Sequence, residues 1–232
     1  MKFSIIIPAW NEEEFVGAAV GALRAQDYPR GEFEIIVVDN NSRDGTMEAA
    51  RKAGADKVVA ETEQGTNMAR NRGVREAKGE ILAFLDADCI PGPGWLRHLE
   101  RNLATQGVVA TSGPYDLGLA GVDKYLDYFY TRFLFRAVPR ALEFIFRKKA
   151  AVIIGGNFAM ERTAMDAIVE FPRYRFFGDD TAIAIKIARK VGKVWYDTSL
   201  VVKSSPRRLE RHGLIMTAFR YALAPALIAI AV

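Results

Sequence analysis

Residues 35–38 read Ile-Ile-Val-Val, an unbroken β-branched run that stops at Asp39. A strand with water on one side alternates apolar and polar residues, whereas a strand apolar at every position is buried on both faces. Such a strand needs covering layers above and below it. The flanking sequence supplies them: Phe15, Ala18, Ala19, Ala22 and Leu23 recur at helical spacing within residues 12–26. Short apolar runs at 3–7, 34–39, Lys57–Ala60, Ile81–Leu85 and Val108–Ser112 alternate with helix-like stretches at 46–54, 67–77 and 93–106. This βαβα order predicts an α/β fold, a mainly parallel sheet with helices on both faces.

The rhythm changes at residue 121. Residues 121–150 interleave Tyr125, Tyr128, Phe129, Phe133, Phe135 and Phe144 with Arg132, Arg136, Arg140, Arg147 and Lys149. They read as two helices bent near Pro139, partly core and partly suited to a membrane interface. Strand pieces are expected at 151–154 and 158–160 around Gly155-Gly156, helices at 163–170 and 180–191, and strands at Lys193–Tyr196 and 200–203. With no internal repeat and no low-complexity linker, residues 1–210 form one domain and residues 211–232 an apolar, partly basic helical tail. From Leu214 onward the tail carries Arg220 as its only charge and is interrupted by Pro225. A spanning helix needs about 20 apolar residues. The tail is therefore expected to lie on a membrane, to dock on a partner or a second copy as a homodimer, or to begin a transmembrane span. At the other end, Pro8 interrupts the apolar run after Ile7, unlike a secretory leader. Folding in the cytoplasm with Cys89 reduced follows as an expectation.

Composition removes several classes. The single cysteine and the two histidines leave no disulfide framework and no multi-cysteine or histidine-rich metal site. The net charge is only +4 and no recognised nucleic-acid-binding motif accompanies it, so no nucleic-acid partner is expected.

In an open parallel sheet, ligands bind outside the carboxyl ends of the strands. Three predicted strands run into polar residues on that one edge: the first into Pro8-Ala9-Trp10-Asn11-Glu12-Glu13, the second into Asp39-Asn40-Asn41-Ser42-Arg43-Asp44-Gly45-Thr46, the fourth into Asp86-Ala87-Asp88. Two carboxylates one residue apart repel each other unless a cation sits with them. Hard oxygen ligands suit Mg²⁺ or Mn²⁺, with substrate phosphates completing the shell. The same acids also suit a turn before Pro91-Gly92-Pro93-Gly94. Asp39 comes too early to cap the next helix and can accept from a nucleobase N–H or a ribose hydroxyl, whereas Asp44 or Ser42 can serve as the cap. Asp179 and Asp180 precede an amphipathic helix, and adjacent acids cannot both cap it. One is left to take a proton from an acceptor hydroxyl, with Asp180 preferred to Asp179.

The strings I-I-I-P-A-W-N-E-E-E, V-V-D-N-N-S-R-D-G-T, G-T-N-M-A-R-N-R-G and F-L-D-A-D resemble glycosyltransferase family 2, which has the GT-A fold. G-G-N-F-A-M, G-D-D-T-A-I-A-I-K-I and S-S-P-R-R follow in the same order, so the resemblance covers residues 3 to about 210. It implies a nucleoside-diphosphate-sugar donor (a UDP- or GDP-sugar), a divalent cation and usually inversion at the anomeric carbon. By that resemblance Pro8, Ala9, Asn11, Glu12 and Asp39 line the nucleoside pocket, and Arg70 lies beside the base or phosphates. Asp86, Ala87 and Asp88 form the D-x-D, Gly156 and Asn157 floor the sugar site, and Asp180 is the general base. Asn40 stands where a second acid is usual. Residues 201–205 read Val-Val-Lys-Ser-Ser, without the histidine that many members carry near the metal, so water or diphosphate oxygens would take its place. The Q-x-x-R-W of processive synthases is absent, which implies transfer of a single sugar. Arg207 and Arg208 could neutralise a diphosphate or lipid headgroups, or form a solvated basic face. The expectation is a metal-dependent glycosyltransferase at the cytoplasmic face of the cell membrane, peripheral or tail-anchored, acting on a lipid carrier or lipid-linked glycan. Its rivals are a nucleotidyltransferase using the same acids and a non-catalytic membrane-associated binding module.

Overall fold

The computed structural model describes residues 1–147, 149–173 and 179–207. The 211–232 tail, with Arg208, lies outside them. The strands are β1 (Phe3–Ala9), β2 (Phe33–Asp39), β3 (Lys57–Ala60), β4 (Ile81–Leu85), β5 (Cys89–Pro91), β6 (Val108–Ser112), β7 (Tyr115–Asp116), β8 (Asn157–Glu161), β9 (Lys193–Tyr196) and β10 (Val202–Ser204). The helices are α1 (Val16–Arg24), α2 (Thr46–Lys52), α3 (Thr66–Glu76), α4 (Trp95–Leu103), α5 (Gly121–Phe129), α6 (Phe135–Phe146), α7 (Arg162–Ile168) and α8 (Asp179–Lys190).

Seven strands form one sheet in the order β3-β2-β1-β4-β8-β6-β9. All neighbours run parallel except β8, which is antiparallel to β4 and to β6. Side chains alternate across a strand, and each face has its own cluster. Ile5, Ile7, Ile35 and Val37 pack with Val20 and Leu23 of α1 and Trp95 and Leu99 of α4. Ile6, Ile36 and Val38 pack on the other face with Ala69 of α3, Met165 of α7 and Ile183 and Ile187 of α8. The Ile35–Val38 run is thus buried on both sides because a helical layer covers each. Phe84 stacks on Phe158 with ring centroids 4.4 Å apart, and Phe171 meets Phe84 edge-on at 5.2 Å. These rings join β4, β8 and the segment before α8 beneath the acidic edge.

A second, three-stranded sheet, β5-β10-β7, was not foreseen. β10 runs antiparallel to β5 and parallel to β7, which brings the chain after β10 back beside Asp88. Its strands are two or three residues long, too short to show a period.

Two local expectations are corrected. The break in the aromatic segment is a π-turn at Tyr130–Leu134, while Pro139 lies inside α6. The helical turns run on without a gap from α5 through 130–134 into α6, and the N–H that Pro139 lacks leaves the carbonyl of Phe135 without that one rung. Residues 151–154 are not a strand. Ile154 N–H donates to Ser112 Oγ at 2.9 Å instead of to a ladder, and leads the chain into Gly155-Gly156.

Candidate active site

The carboxyl ends of β1, β2 and β4 open on one edge because the three strands are parallel. The first residue of the antiparallel β8, Asn157, pairs with the last of β4, Leu85, so Gly155 and Gly156 reach the same edge from the other direction.

Backbone and side-chain bonds lace the loops after β1 and β2 together. Asn11 N–H donates to Ser42 Oγ at 2.9 Å and Arg43 N–H to Asn11 Oδ1 at 2.8 Å. Glu12 N–H donates to Thr46 Oγ1 at 2.8 Å and Gly45 N–H to Glu13 Oε2 at 2.7 Å. Asn11 adopts φ +53°, a left-handed conformation that asparagine tolerates. Asp44 accepts from the N–H groups of Thr46 and Glu13. Burial would raise the pKa of Asp44, but the Thr46 hydroxyl and these N–H groups outweigh it and hold the carboxyl below its ordinary value. It ties the start of α2 at Thr46 to the loop after β1 at Glu13. Asn40, standing where an acid is usual, donates to the carbonyls of Glu61 and Glu63 and accepts from Gly65 N–H at 2.6 Å, fixing the loop before α3.

Asp39 is buried, and its Oδ2 accepts from Ser42 N–H at 3.3 Å. Its Oδ1 is buried and meets no donor among the described residues. A carboxylate oxygen out of water and without a donor is costly unless a ligand supplies one.

The other half of the site centres on Arg70, 3% exposed in α3. The resemblance sets it beside the base or phosphates. The structure sets its guanidinium 2.9 Å from Asp180 Oδ1, 2.8 Å from the Gly155 carbonyl and 3.0 Å from Asn67 Oδ1. Asp86 Oδ1 is 3.9 Å away. One buried cation therefore stands between the first acid of the D-x-D and the candidate base. Asp86 also accepts from the Tyr115 hydroxyl at 3.1 Å. A Cβ on Gly156 would lie 2.2 Å from Asp86 Cγ and 2.3 Å from that hydroxyl, and one on Gly155 would lie 2.3 Å from Asp180 Oδ2. Only glycines allow these acids to lie over the floor. Asp180 opens α8 together with Asp179.

Asp88 contacts Arg207, whose Nη2 lies 3.1 Å from Asp88 Oδ2 and 2.9 and 2.8 Å from the two oxygens of Glu12. Burial lowers the pKa of Arg207, but its bonds to Asp88 and Glu12 raise it further, so it stays above its ordinary value. Among the described residues, no group of three His, Cys, Asp or Glu side chains could hold a metal ion. Asp86 and Asp88 nevertheless fit a hard divalent cation by chemistry as a two-carboxylate donor set, Asp86 being seated directly over Gly156. Ligand and water oxygens would supply the rest of the shell.

Three expected contacts have their side chains buried beneath the edge. Ala9 and Ala87 are buried in the core cluster, so only their backbones face the edge. Asn157 is fully buried: its amide donates to the carbonyls of Gly113, Pro114 and Leu200, and its Oδ1 accepts from Trp95 Nε1 at 3.0 Å. It braces the floor from below rather than meeting a sugar. Pro8 pairs in register with Val38 on β2 and stays part-exposed at the strand end. Tyr115 and Gly155 are site residues that the sequence reading missed. A signal was present, since Gly113-Pro114 breaks β6 at the same edge as β4, to which it runs parallel through β8.

The profile of glycosyl transferase family 2 matches residues 4–169. Glycosyltransferase AglE of Haloferax volcanii is 38% identical over 115 residues, 47% of this chain and 38% of that protein. Poly(ribitol-phosphate) β-N-acetylglucosaminyltransferase TarS of Staphylococcus aureus is 35% identical over 94 residues, 38% of this chain and 16% of that protein. The chain thus covers well under two thirds of these relatives' own lengths. A mannosyltransferase from Pyrobaculum calidifontis, solved in complex with GDP-Man and Mn²⁺, superposes with a TM-score of 0.73 at 26% identity, covering 98% of this chain and 69% of that one. S. aureus TarS in complex with UDP superposes with a TM-score of 0.66 at 18% identity, covering 91% of this chain and 63% of that one, a likeness of fold. With the three acidic strand ends, the glycine floor and the GT-A architecture in hand, these matches establish that the chain belongs to glycosyl transferase family 2.

Proposed function

We propose that this protein transfers one sugar from a nucleoside-diphosphate sugar to an acceptor hydroxyl or phosphate, with inversion at the anomeric carbon. The observation that carries the reading is the shared edge: Asp39, the Asp86/Asp88 pair and Asp180 converge there, the last two linked through Arg70. The Asp39 Oδ1 oxygen that lacks a donor suits the ring N–H of uracil or guanine, and it disfavours cytosine, whose ring nitrogen at that position is itself an acceptor. Asp86 and Asp88 would hold the divalent cation, which when bound stabilises charge on the departing diphosphate. GDP-Man with Mn²⁺ in the Pyrobaculum mannosyltransferase supports this donor class. Asp180 takes the proton of an acceptor hydroxyl, or orients an acceptor phosphate that needs no base. Asp179, beside it at the start of α8, is the alternative.

The acceptor is proposed to be a lipid carrier or lipid-linked glycan at the cytoplasmic membrane face. Supporting this, Tyr125, Leu126, Tyr128, Phe129, Phe133 and Phe144 are exposed on the α5–α6 segment, beside exposed Arg136, Arg140, Arg147 and Lys149. That pairing suits an anionic lipid interface. Among the described residues no helix is long and apolar enough to cross a membrane.

The test is product analysis of UDP-, GDP- and CDP-sugars incubated with Mn²⁺ and a polyprenyl-phosphate acceptor. Release of UDP or GDP is expected, whereas release of a sugar 1-phosphate, with the nucleoside monophosphate passed to the acceptor, would indicate nucleotidyl transfer. With a hydroxyl acceptor, Asp180→Asn should keep donor affinity and lower turnover by about 10²–10⁴. Normal turnover in Asp180→Asn with loss in Asp179→Asn would exchange the two roles.

A further inference from the structure

Arg207 is the one residue after β10 whose contacts cross the mouth of the site among the described residues. Its guanidinium carbon lies 4.2 Å from the centroid of the Phe15 ring, at the entry to α1. From there Nη2 reaches both oxygens of Glu12, after β1, and Oδ2 of Asp88, after β4. The side chains of Glu12 and Asp88 are 19% and 8% exposed, and that of Arg207 is 36% exposed. Two largely buried carboxylates thus share a cation whose side chain remains about a third exposed. The short sheet β5-β10-β7 sets this geometry, because β10 pairs with β5 immediately after the D-x-D. A guanidinium hydrogen-bonded to Asp88 holds an oxygen that a divalent cation needs, and the two positive charges repel.

We infer that Arg207 is a placeholder for the divalent cation: it neutralises Asp88 and Glu12 until the donor arrives, then yields Asp88 to the metal and turns to the diphosphate. This rests on the metal reading above. Asp88 cannot serve both cations at full strength, so the metal is taken up with the nucleotide rather than before it. With Asp86 and Asp88 as the carboxylates that would hold the metal, the diphosphate is then both a ligand of the cation and the new partner of Arg207. The aromatic face of Phe15 holds the resting position through cation–π attraction.

The experiment is titration of the full chain with Mn²⁺, read by the electron paramagnetic resonance signal of free Mn²⁺, first without nucleotide and then with GDP or UDP. Arg207→Ala should bind Mn²⁺ about three- to tenfold more tightly than the unmodified protein without nucleotide, the scale of a partly exposed charge-assisted pair. The same variant should bind GDP or UDP with Mn²⁺ more weakly by a similar factor. Phe15→Leu, which changes no charge, should give a smaller gain in nucleotide-free Mn²⁺ affinity. Unchanged or weakened nucleotide-free affinity in Arg207→Ala overturns the placeholder while leaving the metal reading intact, provided nucleotide binding still requires Mn²⁺. If GDP and UDP bind equally with Mn²⁺ and with EDTA, and no protein takes up Mn²⁺, the metal reading itself has failed and the placeholder falls with it.

Discussion

Arg70 Nη1 donates to Asp180 Oδ1 at 2.9 Å, joining the middle of α3 to the first turn of α8 across 110 positions of sequence. The same guanidinium holds the Gly155 carbonyl and approaches Asp86, so the donor half and the acceptor half of the site are referred to one buried cation. A planar fork can satisfy Asp180, Asn67 and Gly155 at once, and a lysine ammonium cannot match that geometry.

Arg70→Lys should therefore keep the fold and donor affinity largely intact and lower kcat by about 10–100-fold, as the orientation of Asp180 loosens. Arg70→Ala removes the buried cation from between Asp180 and Asp86 and should cost about 1–3 kcal/mol of stability. Steady-state kinetics of the first variant and urea denaturation of the second check the two expectations. Equal kcat in Arg70→Lys would remove Arg70 from the positioning of the base.

Gly156→Ala is expected to weaken donor binding out of proportion to its size. Its Cβ would meet Asp86 Cγ at 2.2 Å, so Asp86 has to leave the position it shares with the Tyr115 hydroxyl. Calorimetry with GDP or UDP and Mn²⁺ should show a loss of at least about tenfold, with thermal unfolding shifted by only a few degrees. Unaltered nucleotide affinity would mean that Asp86 does not act from its observed position.

The sequence made the strand ends legible because each follows an apolar run whose burial demands a covered parallel sheet. Once β1, β2 and β4 are parallel, Asp39, Asp86 and the loop carrying Asn11 and Glu12 must share an edge. What stayed hidden depends on long-range pairing. The partnership of Arg70 with Asp180 and that of Arg207 with Glu12 span more than a hundred positions, and neither has a local pattern. The family resemblance set Asn157 on the floor of the sugar site. Its role under the floor follows from Trp95 and three carbonyls that only the folded chain brings to it. Ala9 closes β1 and turns inward between Pro8 and Trp10, which the strand period states but a motif string obscures, whereas the burial of Ala87 in the turn after β4 follows no period.

A pH dependence arises away from the acidic edge. Burial raises the pKa of Asp197, but bonds from the Ser199 hydroxyl and N–H, the Asn102 amide and His98 outweigh it and hold the carboxyl at about 2, against an ordinary 3.8. A folded-state value below the unfolded one contributes stability that is fully present above the unfolded pKa and is lost as pH falls through the folded one. The stabilisation, on the order of 1–2 kcal/mol, should fade between pH 4 and pH 2. Thermal unfolding against pH should show a low-pH decline that is shallower in Asp197→Asn. Identical slopes would remove Asp197 from the acid-sensitive set.

The central claim is that a nucleoside diphosphate and a divalent cation meet at Asp86 and Asp88. Calorimetric titration of GDP and UDP into the protein with Mn²⁺ and with EDTA, repeated on Asp86→Ala and Asp88→Ala, tests it most directly. The account predicts binding that requires Mn²⁺ in the unmodified protein and loses that requirement, together with at least about tenfold in affinity, in each variant. Mn²⁺-dependent binding of undiminished strength in both variants would contradict it.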